Sequence, residues 1–298
     1  DDFCTYLPVT IGLAATWDRD LARAYGETLG EEARARGKDV LLGPGLGMVR
    51  TPLCGRNFES LGEDPWLAAE LGAAYIRGLQ SRGVAACAKP LVANNQERFR
   101  HGIDVEIEER ALREIHLLPF EAAVREGGSL TIMGAYNRLR GQAACHNDEL
   151  LNRILKQEWG FRGAVISDWG GTHDTREAAL FGLDIEMGTN SPDYDGYFLG
   201  KAFREAIQQG EIPVAVLDDK VRRVLRVALS VDRSRPGAIN TPAHQELARR
   251  VAEASLVLLK NDGALLPLDP RRTGTIAVIG ENAIRWQAHS GGSSAVKA

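Results

Sequence analysis

Residues Trp159–Thr175 read WGFRGAVISDWGGTHDT, and this stretch decides the fold class. Within it, Ala164–Ser167 is a short β-rich run without clean polar alternation, and Asp168 follows directly. Apolar strands that lack alternation are typical of parallel sheets, whose strands are buried on both faces. We therefore expect Asp168 at the carboxyl end of a buried strand, with Gly170 and Gly171 preceding the next helix.

Similar runs lie on both sides of this stretch. Further strands are predicted at Gly12–Thr16, Asp39–Leu42, Val84–Lys89 and Leu130–Ala135. Helices are predicted at Arg19–Arg36, Pro65–Arg82, Ile107–Glu126, Asp148–Trp159 and His173–Phe181. Short strands that alternate with helices indicate a parallel α/β architecture.

The composition changes near residue 231. Val231–Pro242 reads VDRSRPGAINTP, which is rich in proline, glycine and polar residues and is typical of a linker. Beyond it, an apolar helix is predicted at His244–Lys260, and Thr275–Gly280 (TIAVIG) is predicted as a buried strand. We therefore predict one α/β domain over residues 1–233, a linker over 234–243, and the beginning of a second α/β domain over 244–298.

The overall composition excludes several classes of function. The chain has 298 residues, of which 44% are hydrophobic and 26% charged, and its formal net charge is −4. These are the fractions of a globular protein. A mildly negative chain has no basic footprint for nucleic acid or an anionic membrane, and no apolar run approaches the ~20 residues that span a bilayer. We expect small neutral or weakly polar ligands, and self-association into a homo-oligomer stays open.

The cysteines and histidines argue against a metal site. Cys4, Cys54, Cys87 and Cys145 are widely separated and form no C-x-x-C pair, which favours reduced thiols over a disulfide framework. Reduced thiols favour the cytoplasm over a periplasmic or secreted location, but the sequence starts at Asp1 without Met and leaves the compartment undetermined. The histidines show no H-E-x-x-H spacing, so neither zinc nor any other cofactor is predicted.

Gly43–Gly47 reads GPGLG after a predicted strand and invites comparison with a dinucleotide-binding turn. That fingerprint needs G-x-G-x-x-G opening directly into a helix. Here the third glycine comes one position early, and Pro52 follows soon after, which disfavours a helix there. A dinucleotide site is therefore not predicted.

Five collinear segments carry a resemblance to a known family. They are GPGLGMVRTPLCGRNFESLGEDP (Gly43–Pro65), AKPLVANNQERFRH (Ala88–His101), IMGAYNRLRGQAACHNDELLN (Ile132–Asn152), WGFRGAVISDWGGTHDT (Trp159–Thr175) and LVLLKNDGALLPL (Leu256–Leu268). Together they resemble glycoside hydrolase family 3, in its β-glucosidase and β-xylosidase branch, over nearly the whole chain. The resemblance implies a TIM-like (β/α)8 barrel, N-terminally incomplete here, followed by the start of an α/β sandwich domain.

The resemblance also implies roles for individual residues. Asp168 matches the family's carboxylate nucleophile, and the carboxyl end of a barrel strand is where such barrels place their chemistry. Cations near a nucleophilic carboxylate are expected to lower its pKa and keep it ionised. The substrate-binding residues implied in the same way are Arg56, Lys89, Met133, Tyr136 and Trp169.

Each of these residues also has an ordinary structural explanation. An Asp after a strand commonly caps the next helix. Arg and Lys are usually solvated surface charges. A Met, Tyr or Trp on or beside a buried strand usually fills a core. Only the surrounding motifs favour the functional interpretation.

The implied activity is retaining hydrolysis of terminal non-reducing β-D-glycosidic bonds in small β-glycosides or oligosaccharides, with β-glucosidase first and β-xylosidase second. Retaining glycosidases use two carboxyl groups about 5 Å apart, one as nucleophile and one as acid/base. In this branch the acid/base lies in the sandwich domain, which we expect beyond Ala298, and an Asp–Arg motif that grips the sugar would precede Asp1. Asn94–Glu97 reads NNQE and lacks the Gly-His-Gly loop of the β-N-acetylhexosaminidase branch, which disfavours that branch.

One position departs from the family pattern. The residue matching Pro90 is usually a histidine that binds a sugar hydroxyl, and proline supplies no such donor. The loss of one substrate hydrogen bond costs about 1–3 kcal/mol, which would reduce turnover without changing the fold. Pro90 and the external acid/base both favour an alternative, a sugar-binding but inactive fragment or degenerate homologue. The isolated chain is expected to be inactive or weakly active.

Overall fold

The computed structural model describes residues 3–188 and 192–284. Its strands are β1 (Val40–Leu41), β2 (Ala85–Leu91), β3 (Asp104–Val105), β4 (Thr131–Gly134), β5 (Arg138–Leu139), β6 (Gln142–Ala143) and β7 (Ala164–Ile166). Its α-helices are α1 (Thr10–Ala15), α2 (Arg19–Ala35), α3 (Pro65–Gln80), α4 (Glu109–Ala111), α5 (Leu118–Arg125), α6 (Thr175–Leu180), α7 (Lys201–Gln208), α8 (Val214–Ser230) and α9 (Pro242–Ala254). Two further helical segments, Leu112–Leu117 and Glu149–Glu158, have π-type hydrogen bonding.

Four strands form an open parallel sheet in the order β1-β2-β4-β7. Ala88 pairs with Ile132, and Ile132 pairs with Val165, so neighbouring strands run in the same direction across the sheet. The carboxyl ends of these strands therefore lie along one edge. The prediction of a parallel α/β fold is confirmed, whereas the part of the chain that the structure describes does not close into a barrel.

Of the five strands predicted before residue 168, four are present, and the first is wrong. Residues predicted as a strand at Gly12–Thr16 belong mainly to α1. Leu13 and Ala14 are both buried, although they are adjacent, and Ile11 is exposed. A short apolar run does not distinguish a helix from a strand by its periodicity. Residues Thr10–Ala15 form backbone hydrogen bonds within a helix and pair with no strand of the described sheets.

The helices predicted before residue 182 are confirmed, but two of them are irregular: the one predicted at Asp148–Trp159 is the π-type segment Glu149–Glu158, and the one predicted at Ile107–Glu126 is interrupted. Its middle, Leu112–Leu117, is π-type and comes just before Pro119. Proline has no backbone N–H and interrupts the regular i→i−4 ladder, so the turn before it widens. Within residues 3–188 and 192–284, no helix is both long and apolar enough to cross a membrane.

Glycines allow α2 and α3 to approach each other closely. A Cβ on Gly26 would lie 2.1 Å from the Tyr75 carbonyl oxygen, and one on Gly78 would lie 2.0 Å from that of Arg23. Any side chain at these two positions would force the helices apart. Because α3 leads directly into β2, this packing helps to place the strand that carries Lys89.

The C-terminal segment differs from the prediction. The helix expected at His244–Lys260 is α9 and ends at Ala254, after which the side chains of Leu256–Leu259 are exposed. α9 buries Leu247 and Val251 in the main core. No strand forms at residues 275–280, where Ile279 is 91% exposed. A strand is stable only beside a partner strand, and this segment pairs with none in the described ranges.

Candidate active site

The sheet brings most of the predicted site residues to one edge. Lys89 lies near the carboxyl end of β2, Tyr136 comes two residues after β4, and Asp168 comes two residues after β7. These strands are parallel neighbours, so their carboxyl ends meet. Met133 lies within β4 itself and is buried in a cluster with Cys87 and Ile166. Met133 therefore packs the core beneath the site.

Asp168 is buried, with only 5% of its surface exposed. Its interaction with the Tyr136 hydroxyl lowers the pKa of the Asp168 carboxyl group. The Trp169 backbone N–H donates to Asp168 Oδ1 over 3.0 Å. Helix α6 is capped by Asp174 instead, whose carboxylate accepts from the backbone N–H of Glu177. Asp168 is therefore not a helix cap, and this ordinary explanation for its position is removed.

The protonation of Asp168 reflects two opposing effects. Burial raises the pKa of this carboxyl group, while the hydrogen bonds from Tyr136 and Trp169 and the charges of Lys89 and Arg56 lower it. Burial is the larger effect, so the pKa of Asp168 lies above its ordinary value. The cations do act as expected, but they only partly offset the burial.

The carboxylate of Glu59 links the two cations, and sequence reasoning missed it. Arg56 donates to it through two nitrogens, Nε to Oε1 over 3.0 Å and Nη2 to Oε2 over 2.7 Å. Lys89 Nζ lies 3.2 Å from the same Oε2. Burial acts to raise the pKa of Glu59, but its hydrogen bonds and charge contacts with Arg56 and Lys89 hold that pKa below its ordinary value. The i,i+3 spacing of Arg56 and Glu59 in GRNFE is the signal that would have revealed it.

The glycine-rich GPGLG segment supports this carboxylate. A Cβ on Gly45 would lie 2.2 Å from the backbone oxygen of Glu59. Leu46 N donates to the Lys89 carbonyl over 2.6 Å, and Lys89 N donates to the Pro44 carbonyl over 3.0 Å. The segment therefore fits tightly between Glu59 and β2. This packing alone explains why residue 45 is a glycine, and no nucleotide-binding role is needed.

Tyr136 is held by the loop that follows β2. The Arg100 guanidinium carbon lies 4.2 Å from the centre of its ring, and the His101 ring meets it edge-on at 4.5 Å. Burial is the largest cause that raises the pKa of the Tyr136 hydroxyl to about 12, and the neighbouring Asp168 adds to it. Tyr136 therefore stays protonated at neutral pH and is able to act as a hydrogen-bond donor toward Asp168.

A polar cleft opens beside the two cations. Among its lining residues are Arg56, Glu59, Lys89, Pro90, Asn94, Asn95 and Glu97. The side-chain oxygens of Asn94 and Asn95 are buried and have no hydrogen-bond partner within the described part of the chain. Unpaired polar atoms and fixed donors in a cleft suit a ligand with several hydroxyl groups.

Trp169 lies at the edge of the site and is 47% exposed. Its indole packs against Gly188 on one side. The exposed part of the ring is the part that a ligand would contact. No group of three or more His, Cys, Asp or Glu side chains in the described ranges is arranged to hold a metal ion.

The carboxyl edge of this parallel sheet carries a buried carboxylate, a tyrosine hydroxyl and two cations. The protein is therefore an α/β domain of the class that carries its chemistry at the carboxyl ends of its strands. The sequence pattern described as "Glycosyl hydrolase family 3 N terminal domain" matches residues 1–227. The chain therefore belongs to glycosyl hydrolase family 3 and contains this N-terminal domain.

Named relatives agree with this assignment. The chain is 49% identical over 313 residues to Beta-glucosidase BoGH3A of Bacteroides ovatus, a match that covers 100% of the chain and 42% of the relative. It is 42% identical to Thermostable beta-glucosidase B of Acetivibrio thermocellus, a match that covers 97% of the chain and 38% of the relative. The chain thus spans well under half of the length of these relatives.

Solved structures give the same result. Beta-glucosidase 3B from Thermotoga neapolitana, in complex with glucose, superimposes with a TM-score of 0.83 at 39% identity, over 88% of this chain and 38% of that one. DesR, a beta-glucosidase from Streptomyces venezuelae in complex with D-glucose, gives a TM-score of 0.83 at 36% identity, over 90% of this chain and 36% of that one.

Proposed function

We propose that this chain supplies the nucleophile of a retaining β-glycosidase, which hydrolyses terminal non-reducing β-D-glycosidic bonds. β-Glucosides are the first candidate substrates and β-xylosides the second, as small glycosides or oligosaccharides. The observation that carries the proposal is the buried Asp168 carboxylate, which accepts a hydrogen bond from the Trp169 backbone N–H and whose pKa is lowered by the Tyr136 hydroxyl, Lys89 and Arg56. The names of the relatives support the sugar class.

The proposed reaction has two steps. In the first, an Asp168 carboxylate oxygen attacks the anomeric carbon, and the bond from that carbon to the leaving oxygen breaks as an external acid protonates the oxygen. In the second, water attacks the same carbon with its proton taken by the same external group, and Asp168 leaves as a carboxylate. Two inversions retain the β configuration. Tyr136 orients the carboxylate, and its hydrogen bond favours the ionised form that must attack.

The remaining site residues are proposed to bind the sugar. Lys89 and Arg56 would donate to its hydroxyl groups, since both line the cleft and Glu59 holds them in place. The exposed area of Trp169 would stack on the apolar face of the pyranose ring. Met133 would shape the floor of this subsite through its core packing.

We further propose the domain organisation of the complete enzyme. Residues 1–233 would form part of a TIM-like (β/α)8 barrel, residues 234–243 a linker, and residues 244–298 the beginning of an α/β sandwich domain that carries the acid/base. The open sheet and the unpaired segment at 275–280 are consistent with elements completed by additional chain.

The proposal is tested by trapping the intermediate on the full-length protein. A dinitrophenyl 2-deoxy-2-fluoroglucoside needs no acid to release its leaving group, and its fluorine slows the second step. We expect one label, on the peptide that contains Ser167-Asp168-Trp169, and none in Asp168→Asn. A label on another carboxylate, or near wild-type turnover by Asp168→Asn, would contradict the assignment.

Two further measurements separate the alternatives. Turnover of nitrophenyl β-glucoside and β-xyloside by the full-length protein ranks the two sugars. Pro90 is the observation that favours a degenerate homologue that binds sugar without cleaving it. Binding of glucose without labelling or turnover would establish that second candidate.

A further inference from the structure

The aromatic ring of Tyr136 is flanked by two side chains from one short loop. The Arg100 guanidinium carbon lies 4.2 Å from the ring centre, and the His101 ring lies 4.5 Å away at an angle of 63°. A cation within about 6 Å of an aromatic centre is attracted to the ring face. The hydroxyl at the other end of the same ring interacts with the Asp168 carboxyl group and lowers its pKa.

Arg100 is itself fixed by a chain of charges. Its Nη1 lies 2.5 Å from Glu97 Oε2, and Glu97 Oε1 accepts from Asn94 Nδ2 over 3.2 Å. Glu97 Oε1 also lies 3.9 Å from Arg56 Nη1. Arg100 is only 30% exposed as a side chain, so it is neither fully solvated nor free to leave the ring.

A second arginine–aromatic pair in the same loop lacks such support and serves as a comparison. The Arg98 guanidinium carbon lies 5.2 Å from the centre of the Phe99 ring, and Phe99 is 74% exposed. Phe99 has no polar group to aim. The Arg100 pair is closer, its ring is buried, and that ring carries the hydroxyl that contacts the candidate nucleophile.

We propose that Arg100, held by Glu97, is a positioning residue that keeps the Tyr136 hydroxyl directed at the Asp168 carboxylate. The proposal deepens the proposed function and rests on it. Arg100 touches neither the sugar nor the reacting atoms in this scheme, and it acts through Tyr136 alone. The positive charge over the ring also makes the phenol a stronger hydrogen-bond donor, in line with the lowering effect of Arg100 on the pKa of Tyr136.

The first test compares single variants of the full-length enzyme on an aryl β-glucoside. Arg100→Met keeps much of the side-chain length but removes the charge, and we expect kcat to fall about tenfold with KM changed less than about twofold. Arg100→Lys restores a cation over the ring and should recover part of kcat. Arg98→Met is the matched control and should behave as wild type. Wild-type kcat in Arg100→Met would overturn the proposal. Equal melting temperatures for the variant and the wild type would show that a lower kcat is not caused by general unfolding.

A double-mutant cycle with Tyr136→Phe gives the sharper result. The phenyl ring keeps the contact with Arg100 but has no hydroxyl to aim. If Arg100 acts only through that hydroxyl, Arg100→Met should lower kcat by less than about twofold in the Tyr136→Phe background. An undiminished tenfold loss in that background would mean that Arg100 acts by another route, and the proposal would fail.

A crystal structure of the Arg100→Met enzyme tests the geometry without any turnover. We expect the Tyr136 hydroxyl to lie farther from the Asp168 carboxylate than it does in a crystal structure of the wild-type enzyme. An unchanged distance between the Tyr136 hydroxyl and the Asp168 carboxylate overturns the positioning role. Absence of turnover and labelling in the wild-type protein would instead overturn the proposed function, so the two failures are distinguishable.

Discussion

The indole ring of Trp169 lies so close to the α-carbon of Gly188 that a methyl group there would sit 2.1 Å from Trp169 Cδ1. The two segments are also joined by a hydrogen bond from Gly170 N to the Gly188 carbonyl over 2.9 Å. Gly188 has a positive φ of 47°, which disfavours larger residues as well. This contact fixes one edge of an indole that is still 47% exposed.

We predict that Gly188→Ala displaces Trp169 and lowers kcat/KM for an aryl β-glucoside by about 10- to 100-fold, because small misplacements of binding groups are costly. The matched control is Gly210→Ala, where φ is 76° but nothing lies within 4 Å of the new methyl group. The control should lose about 1 kcal/mol of stability and keep its activity. Equal kcat/KM values for the two variants would show that the indole is not a substrate contact.

The second prediction concerns the pH dependence of Tyr136→Phe. The hydroxyl lowers the pKa of Asp168, so its removal should raise that pKa further above the ordinary value. The nucleophile must be ionised, so the acid limb of kcat/KM should move to higher pH, with kcat lower by about 10- to 100-fold. Tyr25→Phe, which loses a buried hydrogen bond to the Pro8 carbonyl, should leave the limb in place. A limb that stays fixed in Tyr136→Phe would mean that Asp168 does not set it.

The third prediction is a gain in stability for Asp168→Asn at neutral pH. The pKa of Asp168 in the folded state lies above the ordinary value for an aspartate, so the folded state holds its proton over a pH range in which the unfolded state has lost it. Stability therefore falls as pH rises through that range, and above it the ionised carboxylate costs free energy of folding. Denaturant titrations should show the variant to be more stable than wild type at pH 7, with the difference shrinking below pH 4. A variant less stable than wild type at pH 7 would contradict the conclusion that burial is the largest effect on the pKa of Asp168.

The fourth prediction concerns Pro90, which lines the cleft next to Lys89. Pro90→His would place a hydrogen-bond donor at the cleft wall, and we expect kcat/KM for an aryl β-glucoside to rise about fivefold or more. Pro90→Ala removes the proline ring without adding a donor and should show no such gain. If both variants are unchanged or slower, this position is not deficient in the enzyme.

The sequence predicted much of the fold because the relevant signals are local. The apolar runs of β2, β4 and β7, the glycine turns and the collinear motifs all lie within short stretches of chain. The failures have physical causes. The Gly12–Thr16 run has too few residues to distinguish a helix from a strand, and Pro119 widens a helix that propensity alone would draw as regular.

The sequence by itself determined the family, the parallel α/β class and the identity of the candidate nucleophile, because motif order and strand ends are properties of the chain. Only the tertiary structure decided that the pKa of Asp168 lies above its ordinary value, since that pKa depends on burial and on groups from three different strand ends. Only the tertiary structure showed that Glu59 joins Arg56 to Lys89, and that Arg100 lies over Tyr136. The contacts of Glu59 with Lys89 and of Arg100 with Tyr136 each join residues at least thirty positions apart, and no local pattern of residues encodes such a distance.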